Sequence, residues 1–188
     1  PDGGYHARWQ AWTAFLSGAA GYAHGAFGVW QFYDPDDPEG ETGKDVHDVV
    51  PWQEALGFEG TTYLQHVKSL LTSYPWWRLL PHREWLRVDD APNPASASDD
   101  LTPPHCAAVP GELVVVYVPR GNAGKAIDVT HMSGNGYTAA WFDPRDGSRI
   151  AAGEVSPEAA EWRLPPRPQP ANEDWVIVLS GAQSSPSA

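Results

Sequence analysis

The chain has 188 residues, of which 41% are hydrophobic and 12% aromatic, a composition that predicts a folded core rather than a disordered segment. Its 24 acidic and 12 basic side chains give a net charge of -12, which disfavours nucleic acid or an anionic membrane as a partner. The single cysteine, Cys106, excludes an internal disulfide, and no apolar run approaches the roughly 20 residues that span a bilayer.

The N-terminal part of the chain is predicted to be helical. Apolar residues recur from Tyr5 to Leu16 at spacings of four, three and four, which indicates one buried helical face. Ser17 and Gly18 then end this helix. Further along, Pro51 favours a short helix through the segment WQEAL.

A longer helix is predicted from Thr62 to Ser73. Thr62 and Gln65 have the spacing of a capping box, which marks a helix N-terminus. Pro75 follows the helix and stops it. Apolar residues at helical spacing form its predicted buried face, namely Tyr63, Val67, Leu70, Leu71 and Tyr74.

The stretch SGAAGYAHGAFGVWQFYDP, residues 17–35, combines glycines with aromatic side chains. Its segment AAGYAHG is short and apolar enough for a buried strand. Glycine weakens a strand unless something must approach the backbone closely. The neighbouring aromatic residues therefore indicate a surface for a flat, partly apolar ligand, and an acidic chain rich in Trp and Tyr suits a neutral, hydroxyl-rich one.

The acidic loop DPDDPEGETGKD, residues 34–45, could be a calcium loop or a solvated loop. Gly40 is seventh counting from Asp34, whereas an EF-hand loop needs glycine at the sixth position, so the solvated loop is favoured. Seven scattered histidines show no pair with the spacing of zinc ligands. We therefore predict no metal and no cofactor.

Three other residues with chemical potential have plainer interpretations. Cys106 lies between a proline pair and an apolar run, which favours a buried or half-buried thiol over a nucleophile. His66 is expected to have a surface or packing role on its helix. Trp76 and Trp77 could form a sugar platform, but packing between domains is the favoured interpretation.

Beyond a loop-like segment at residues 89–105, the sequence becomes strand-like. The runs ELVVVYVP, AIDVT, YTAAWFD and DWVIVL are rich in β-branched and aromatic residues. Asn135-Gly136 and Asp146-Gly147 are typical hairpin turns. In YTAAWFD the residues Tyr137, Ala139 and Trp141 alternate with their neighbours, so two faces are distinguished. This pattern predicts an antiparallel sandwich that can fold without the first eighty residues.

Two sets of motifs resemble known families. RWQAWTAFLSGAAGYAHGAFGVWQFY, PWQEAL and YLQHVKSLLTSYPWWRLLP resemble the C-terminal part of the apiosidase-like glycoside hydrolase family. The Tyr-x-Pro-x-Gly, Trp-Phe-Asp-Pro-Arg-x-Gly and Asp-Trp-Val signatures resemble the β-sandwich that follows it, named "putative collagen-binding domain of a collagenase". Together the resemblances cover residues 5 to 181 or so.

The resemblance implies an α+β chain in two parts. Residues 1–83 would be the terminal helix–strand–helix portion of a (β/α)8 barrel, 84–182 an all-β antiparallel sandwich and 183–188 a flexible tail. AAGYAHG would be the last barrel strand, and the aromatic loop after it would lie at the mouth, where such barrels carry their active sites. On this comparison the substrate-binding residues are His24, Trp30, Tyr22 and Phe27. The family often has Tyr-Gly-His in this loop, whereas this chain has His24-Gly25-Ala26.

The resemblance also implies what this chain lacks. The family's two catalytic carboxylates come from earlier barrel strands and have no counterpart here, so we predict no catalytic residue and no activity for the chain alone. The expected partner is a carbohydrate, with the rest of the barrel supplied by the same or a separate chain, in a secreted or periplasmic protein. The alternatives are a non-catalytic module that binds a glycan or a protein such as collagen, and a sandwich that only braces the barrel.

Overall fold

The computed structural model describes residues 3–37, 49–89, 103–132, 136–156 and 158–181. Three α-helices precede the strands in these ranges: α1 (Gly3–Leu16), α2 (Trp52–Ala55) and α3 (Glu59–Thr72). The strands that follow are β1 (Leu80–Pro81), β2 (Leu86–Val88), β3 (His105–Val109), β4 (Leu113–Val118), β5 (Ile127–Thr130), β6 (Tyr137–Phe142), β7 (Arg149–Val155), β8 (Glu161–Arg163) and β9 (Trp175–Gly181). In this described part, no helix is both long and apolar enough to cross a membrane.

The strands form two antiparallel sheets. One sheet has six strands in the order β1-β3-β4-β9-β6-β7, and the other has three in the order β2-β5-β8. A core between the sheets contains Trp141, Trp175 and the alternate β4 residues Val114 and Val116. The predicted α+β chain with an antiparallel sandwich is therefore confirmed.

A second core lies on the opposite face of the six-stranded sheet, where α1 and α3 cover it. Trp12 is completely buried, and its ring stacks on that of Tyr117 with centroids 6.2 Å apart. The β4 residues that alternate with those of the first core, Leu113, Val115 and Tyr117, belong to this core. Because both faces of the sheet are covered, β4 and β9 read as continuous apolar runs rather than as alternating strands.

The structure corrects the predicted start of the long helix. α3 begins at Glu59, its N-cap is Phe58, and no side chain caps it, so the capping box of Thr62 and Gln65 is wrong. Close packing against α1 accompanies the earlier start. A Cβ atom at Gly60 would lie 3.1 Å from that of Ala7, a tight contact, so glycine eases the packing of the first turn of α3 against α1.

Two further local predictions are wrong. The buried strand predicted in AAGYAHG does not form. Residues 19–26 lie outside any helix or strand, because no neighbouring strand of the described chain pairs with them. The hairpin predicted at Asn135-Gly136 does not form, because β5 and β6 belong to different sheets. Asn135 itself is outside the described residues. The turn at Asp146-Gly147 does join the paired strands β6 and β7, with Gly147 at a φ of 78°.

Candidate functional site

A glycine fixes the shape of the aromatic loop that follows α1. Gly28 has a φ of 96°, and a Cβ atom there would overlap the carbonyl oxygen of Val50 and lie 3.1 Å from Ala55. The Gly28 N–H donates to the side-chain oxygen of the buried Gln31 at 2.7 Å. The loop is therefore held against α2 and the segment before it, and this contact accounts for one glycine among the aromatic residues.

His24 and Phe27 line the same surface groove. The groove has a volume of about 630 Å³ and lies between the loop, the start of α1 and the start of α3, where Phe58 and Glu59 complete its lining. A Cβ atom at Gly60 would lie 3.3 Å from His24 Nε2, so the imidazole packs over the first turn of α3. His24 also lines a second groove, of about 380 Å³, with Leu64 and other residues. The imidazole thus lies where the two grooves meet.

Phe27 and Trp30 form an exposed aromatic pair next to this groove. Their ring centroids are 6.3 Å apart at an angle of 55°, and 54% of Phe27 and 62% of Trp30 are exposed. Trp30 is therefore not a residue of the core. Contiguous exposed apolar side chains mark interaction sites when the patch is large, so this pair is a candidate binding surface.

Tyr22 lies apart from the other three residues. Its hydroxyl donates to Gln10 Oε1 at 2.9 Å, and it lines a separate groove of about 320 Å³ with Phe15 and Trp76. Partial burial raises the pKa of Tyr22. The structure thus brings together His24, Phe27 and Trp30 and leaves Tyr22 against α1.

Sequence reasoning did not include Phe32 in the site, although it belongs to the same aromatic run. Phe32 is 74% exposed, and its ring centroid lies 6.2 Å from that of Trp52. Its φ of 51° is uncommon for a residue with a Cβ atom. Strain of this kind is concentrated at functional sites, and no sequence motif signals it at a phenylalanine.

The described carboxylates near the loop form local hydrogen bonds. Glu59 is the acidic residue that lines the His24 groove in the described chain, and its Oε2 accepts a hydrogen bond from Tyr63 at 3.2 Å. Asp34 accepts hydrogen bonds from the Asp36 N–H at 3.0 Å and from Gln53 at 3.4 Å, so it serves the loop itself. The loop residues Glu39 and Glu41 lie outside the described residues. Within the described ranges, no three His, Cys, Asp or Glu side chains are arranged to hold a metal ion.

The other residues singled out from the sequence lie outside the aromatic loop. Cys106 is buried, and burial raises its pKa to about 12, which leaves no reactive thiolate at neutral pH. Trp76 packs edge-to-face on Phe15 with centroids 5.8 Å apart, as expected for a packing residue. Trp77 is 72% exposed, so the packing interpretation is wrong for this residue. His66 is half-buried and contacts Gly147 of the β6–β7 turn, which agrees with a packing role.

A buried ionic network joins the helices to the sandwich, and sequence reasoning missed it. Arg8 of α1 donates through Nε and Nη2 to Asp174, with N···O distances of 3.0, 2.9 and 2.7 Å. Tyr117 also donates to Asp174, at 3.0 Å. Burial lowers the pKa of Arg8, but the hydrogen bond and charge of Asp174 outweigh burial and raise it. The pKa of Tyr117 is raised by its burial and by the same carboxylate.

Solved structures show the same fold. The structure of a "Glycoside hydrolase" matches with a TM-score of 0.70 at 18% sequence identity, over 95% of this chain and 37% of that chain. A "glycoside hydrolase family 5 from Bacteroides vulgatus ATCC 8482" matches with a TM-score of 0.67 at 17% identity, over 95% of this chain and 36% of that one. This chain therefore spans just over a third of each solved chain. The chain therefore shares the fold of the matching part of these two structures.

Two family models match successive parts of the chain. Residues 4–78 match the model described as "Apiosidase-like, catalytic domain". Residues 96–180 match "Putative collagen-binding domain of a collagenase". The resemblance stated from the sequence is thus confirmed for both parts and in the same order. No curated protein matches the chain.

Proposed function

We propose that this chain forms the C-terminal part of a carbohydrate-active glycoside hydrolase. Residues 1–83 contribute the last segment of the barrel, and residues 84–182 are an accessory sandwich. The observation that carries the proposal is the exposed pair Phe27–Trp30 beside the groove lined by His24. The match to an apiosidase-like catalytic domain over residues 4–78 supports it.

The chemistry of the groove suits a sugar. An aromatic face packs against the C–H surface of a sugar ring, as Phe27 and Trp30 can do with most of their surface accessible. The exposed imidazole of His24 can hydrogen-bond a hydroxyl group. Pockets for small ligands combine apolar walls with a few polar groups in this way. Tyr22, on the adjacent groove, would contact a longer saccharide.

Catalysis requires carboxylates in addition to that of Glu59 in the His24 groove. Glycosidases use two carboxyl groups on either side of the scissile bond, and Glu59 alone lines the His24 groove in the described chain. In this proposal the acid/base and the nucleophile come from barrel strands that precede this segment, in the same or a separate chain. The chain shown here binds the sugar and does not cleave it alone.

The sandwich is proposed to brace the barrel. The buried pair Arg8–Asp174 and the stacked rings of Trp12 and Tyr117 tie α1 to the six-stranded sheet over an extensive apolar face. Such a face fixes the helices of the barrel segment in position. Collagen binding is suggested by the name of the family model, and no contact of the described residues bears on it.

The test compares hydrolysis of a panel of polysaccharides and aryl glycosides by two proteins. One is the chain alone, and the other also carries the preceding barrel strands. We expect turnover with the longer protein only. Turnover by the chain alone that disappears in Glu59→Gln would contradict the proposal, because it would place a catalytic carboxylate within this chain. Glu54→Gln, at an exposed residue of α2, is the matched control.

A further inference from the structure

The sandwich contains a groove of its own, distant in sequence from the aromatic loop. It has a volume of about 470 Å³ and lies between the turn before β5, the end of β4 and the segment after β8. Its walls include Ile127, Pro165 and Pro166. This volume falls within the range of roughly 300–1,000 Å³ that is typical of small-molecule sites.

The lining of the groove is cationic although the chain is acidic. Lys125, Arg163 and Arg167 line it, and no Asp or Glu of the described residues does. The chain as a whole has a net charge of -12. Arg163 is bound to Asp128, with Nε···Oδ1 at 2.8 Å, so its charge is partly neutralised. Lys125 and Arg167 form no ion pair with a carboxylate among the described residues, and they give the groove its positive charge.

Two buried donors in the lining residues have no acceptor in the described part of the chain. These donors are the indole N–H of Trp141 and the Nη2 group of Arg167. A buried donor without a partner is unfavourable, and such groups are rare in folded proteins. Because both atoms are inaccessible, a ligand acceptor in the groove reaches them only when the side chains shift on binding.

Arg167 is half-buried and differs from Arg8 and Arg145, which are bound to carboxylates. Arg8 donates to the carboxylate of Asp174 and Arg145 to that of Asp143, whereas Arg167 donates through Nη1 to the backbone carbonyl of Glu173 at 3.0 Å. Burial therefore lowers the pKa of Arg167, and the charge of Asp174 only partly opposes this effect. A partly buried cation without a bound anion is unfavourable, and an anionic ligand would offset that cost.

We propose that this groove binds an acidic saccharide, whose uronic acid carboxylate meets Arg167, Lys125 and the Trp141 N–H. The carboxylate matches the cationic donors, and the C–H face of the sugar ring matches the apolar walls at Pro165 and Pro166. The choice of a saccharide rests on the glycoside hydrolase function proposed above. The choice of an anion rests on the groove itself.

The experiment titrates the full chain with an oligogalacturonate and, separately, with the neutral galacto-oligosaccharide of the same length. We expect the acidic sugar to bind more tightly, and its affinity to fall as salt is raised. Arg167→Gln should weaken binding by at least about tenfold, since a hydrogen bond to a charged group is lost. Trp141→Phe keeps the ring and removes the N–H, and it should also weaken binding.

Arg87→Gln is the matched control. Arg87 lies on the same small sheet and pairs with Asp128 and Glu161, outside the groove. The affinity of the Arg87→Gln variant for the acidic sugar should equal that of the unaltered chain. If Arg167→Gln unfolds the chain, Lys125→Gln replaces it, because Lys125 has no ion pair to lose among the described residues.

Three outcomes would overturn the proposal: equal binding of the acidic and neutral sugars, equal loss of affinity in Arg87→Gln, or binding of an acidic peptide as tight as that of the sugar. Because titration measures binding and not turnover, its result is separate from the hydrolysis test. Uronate binding without hydrolysis by the longer protein would contradict the proposed enzyme and leave the anion groove intact. Hydrolysis by the longer protein without uronate binding would contradict the anion groove and leave the proposed enzyme intact.

Discussion

Arg8 in the first helix and Asp174, the residue before the last strand, form a buried bidentate ion pair across 166 positions of sequence. The side chain of Arg8 is 2% exposed and that of Asp174 is fully buried. Tyr117, on β4, donates a further hydrogen bond to the carboxylate of Asp174. The pair therefore joins the barrel segment to both central strands of the sandwich.

We expect Arg8→Ala to lower the free energy of unfolding by about 3–5 kcal/mol, because it leaves the Asp174 carboxylate buried and unpaired. Urea denaturation followed by circular dichroism measures this change. Arg78→Ala is the matched control, since Arg78 forms an exposed pair with Glu112 at 2.6 Å and its loss should have little effect.

Replacing both partners should cost less than replacing one. The double variant Arg8→Met, Asp174→Leu removes the two charges together and keeps apolar volume in their place. Its free energy of unfolding should lie above that of Arg8→Ala. A double variant as unstable as the sum of its single variants would contradict the view that the unpaired charge causes the loss.

Cys106 gives a prediction about pH. Burial raises its pKa to about 12 in the folded chain, above the value of a free thiol. The unfolded chain therefore loses its thiol proton first as the pH rises, so this contribution to stability is complete below about pH 8.5 and disappears between there and about pH 12. Cys106→Ala should weaken this loss of stability at high pH in denaturant titrations.

Because Cys106 is buried, its thiol should react slowly with reagents in the folded chain. A thiol reagent should label Cys106 in the native chain only as fast as the chain opens, and immediately in denaturant. Fast labelling of the native chain, with unchanged circular dichroism, would show that the thiol is accessible and would contradict the buried position on β3.

The dependence of the sandwich on its helices is testable with a shortened chain. β1, at Leu80–Pro81, pairs with β3 of the six-stranded sheet, so the sheet begins before residue 84. The face of this sheet that α1 and α3 cover contains Val115, Tyr117, Val176 and Val178. Without the helices these side chains are exposed to water, which weakens the fold.

We therefore expect residues 84–181 alone to retain β-structure from the core between the sheets but to melt at a lower temperature than the full chain. They should also bind a hydrophobic dye that the full chain does not bind. Circular dichroism and dye fluorescence measure the two effects. Equal melting temperatures would show that the sandwich folds independently of the helical segment.

Local patterns predicted much of this fold. The apolar spacing from Tyr5 to Leu16 located α1, and the β-branched runs located β4, β6 and β9. The local capping signal at Thr62 missed the start of α3 at Glu59, where Gly60 packs closely on Ala7 in a tertiary contact that local sequence does not report. The Asn135-Gly136 signal failed because the neighbours of β5 and β6 are strands distant in sequence.

The candidate site was predictable only in part. The aromatic run and its glycines pointed to the loop, and His24, Phe27 and Trp30 do lie together there. Tyr22 is adjacent in sequence, but its bond to Gln10 holds it against α1. The pairing of Arg8 with Asp174 left no local trace, because a single sequence carries no record of which distant charges meet.

The aromatic pair makes the sharpest prediction about function. In the longer protein that carries the preceding barrel strands, Trp30→Ala should remove the wall of a sugar subsite and reduce kcat/KM sharply. Truncating an aromatic anchor commonly costs about 2–4 kcal/mol of binding, which corresponds to a factor of about 30 to 1,000. His24→Ala removes one hydrogen bond to a hydroxyl, so its effect should be smaller, at about 0.5–1.5 kcal/mol.

Stability separates this role from a structural one. Trp30 is 62% exposed, so Trp30→Ala should leave the melting temperature of this chain nearly unchanged, whereas loss of a buried tryptophan costs about 3–5 kcal/mol. Trp77→Ala is the matched control, because Trp77 is 72% exposed and lies outside the His24 groove. It should change neither activity nor stability. A fall in activity with Trp77→Ala as large as with Trp30→Ala, or a large fall in the melting temperature with Trp30→Ala, would refute the sugar subsite, since neither follows from an exposed wall beside the groove.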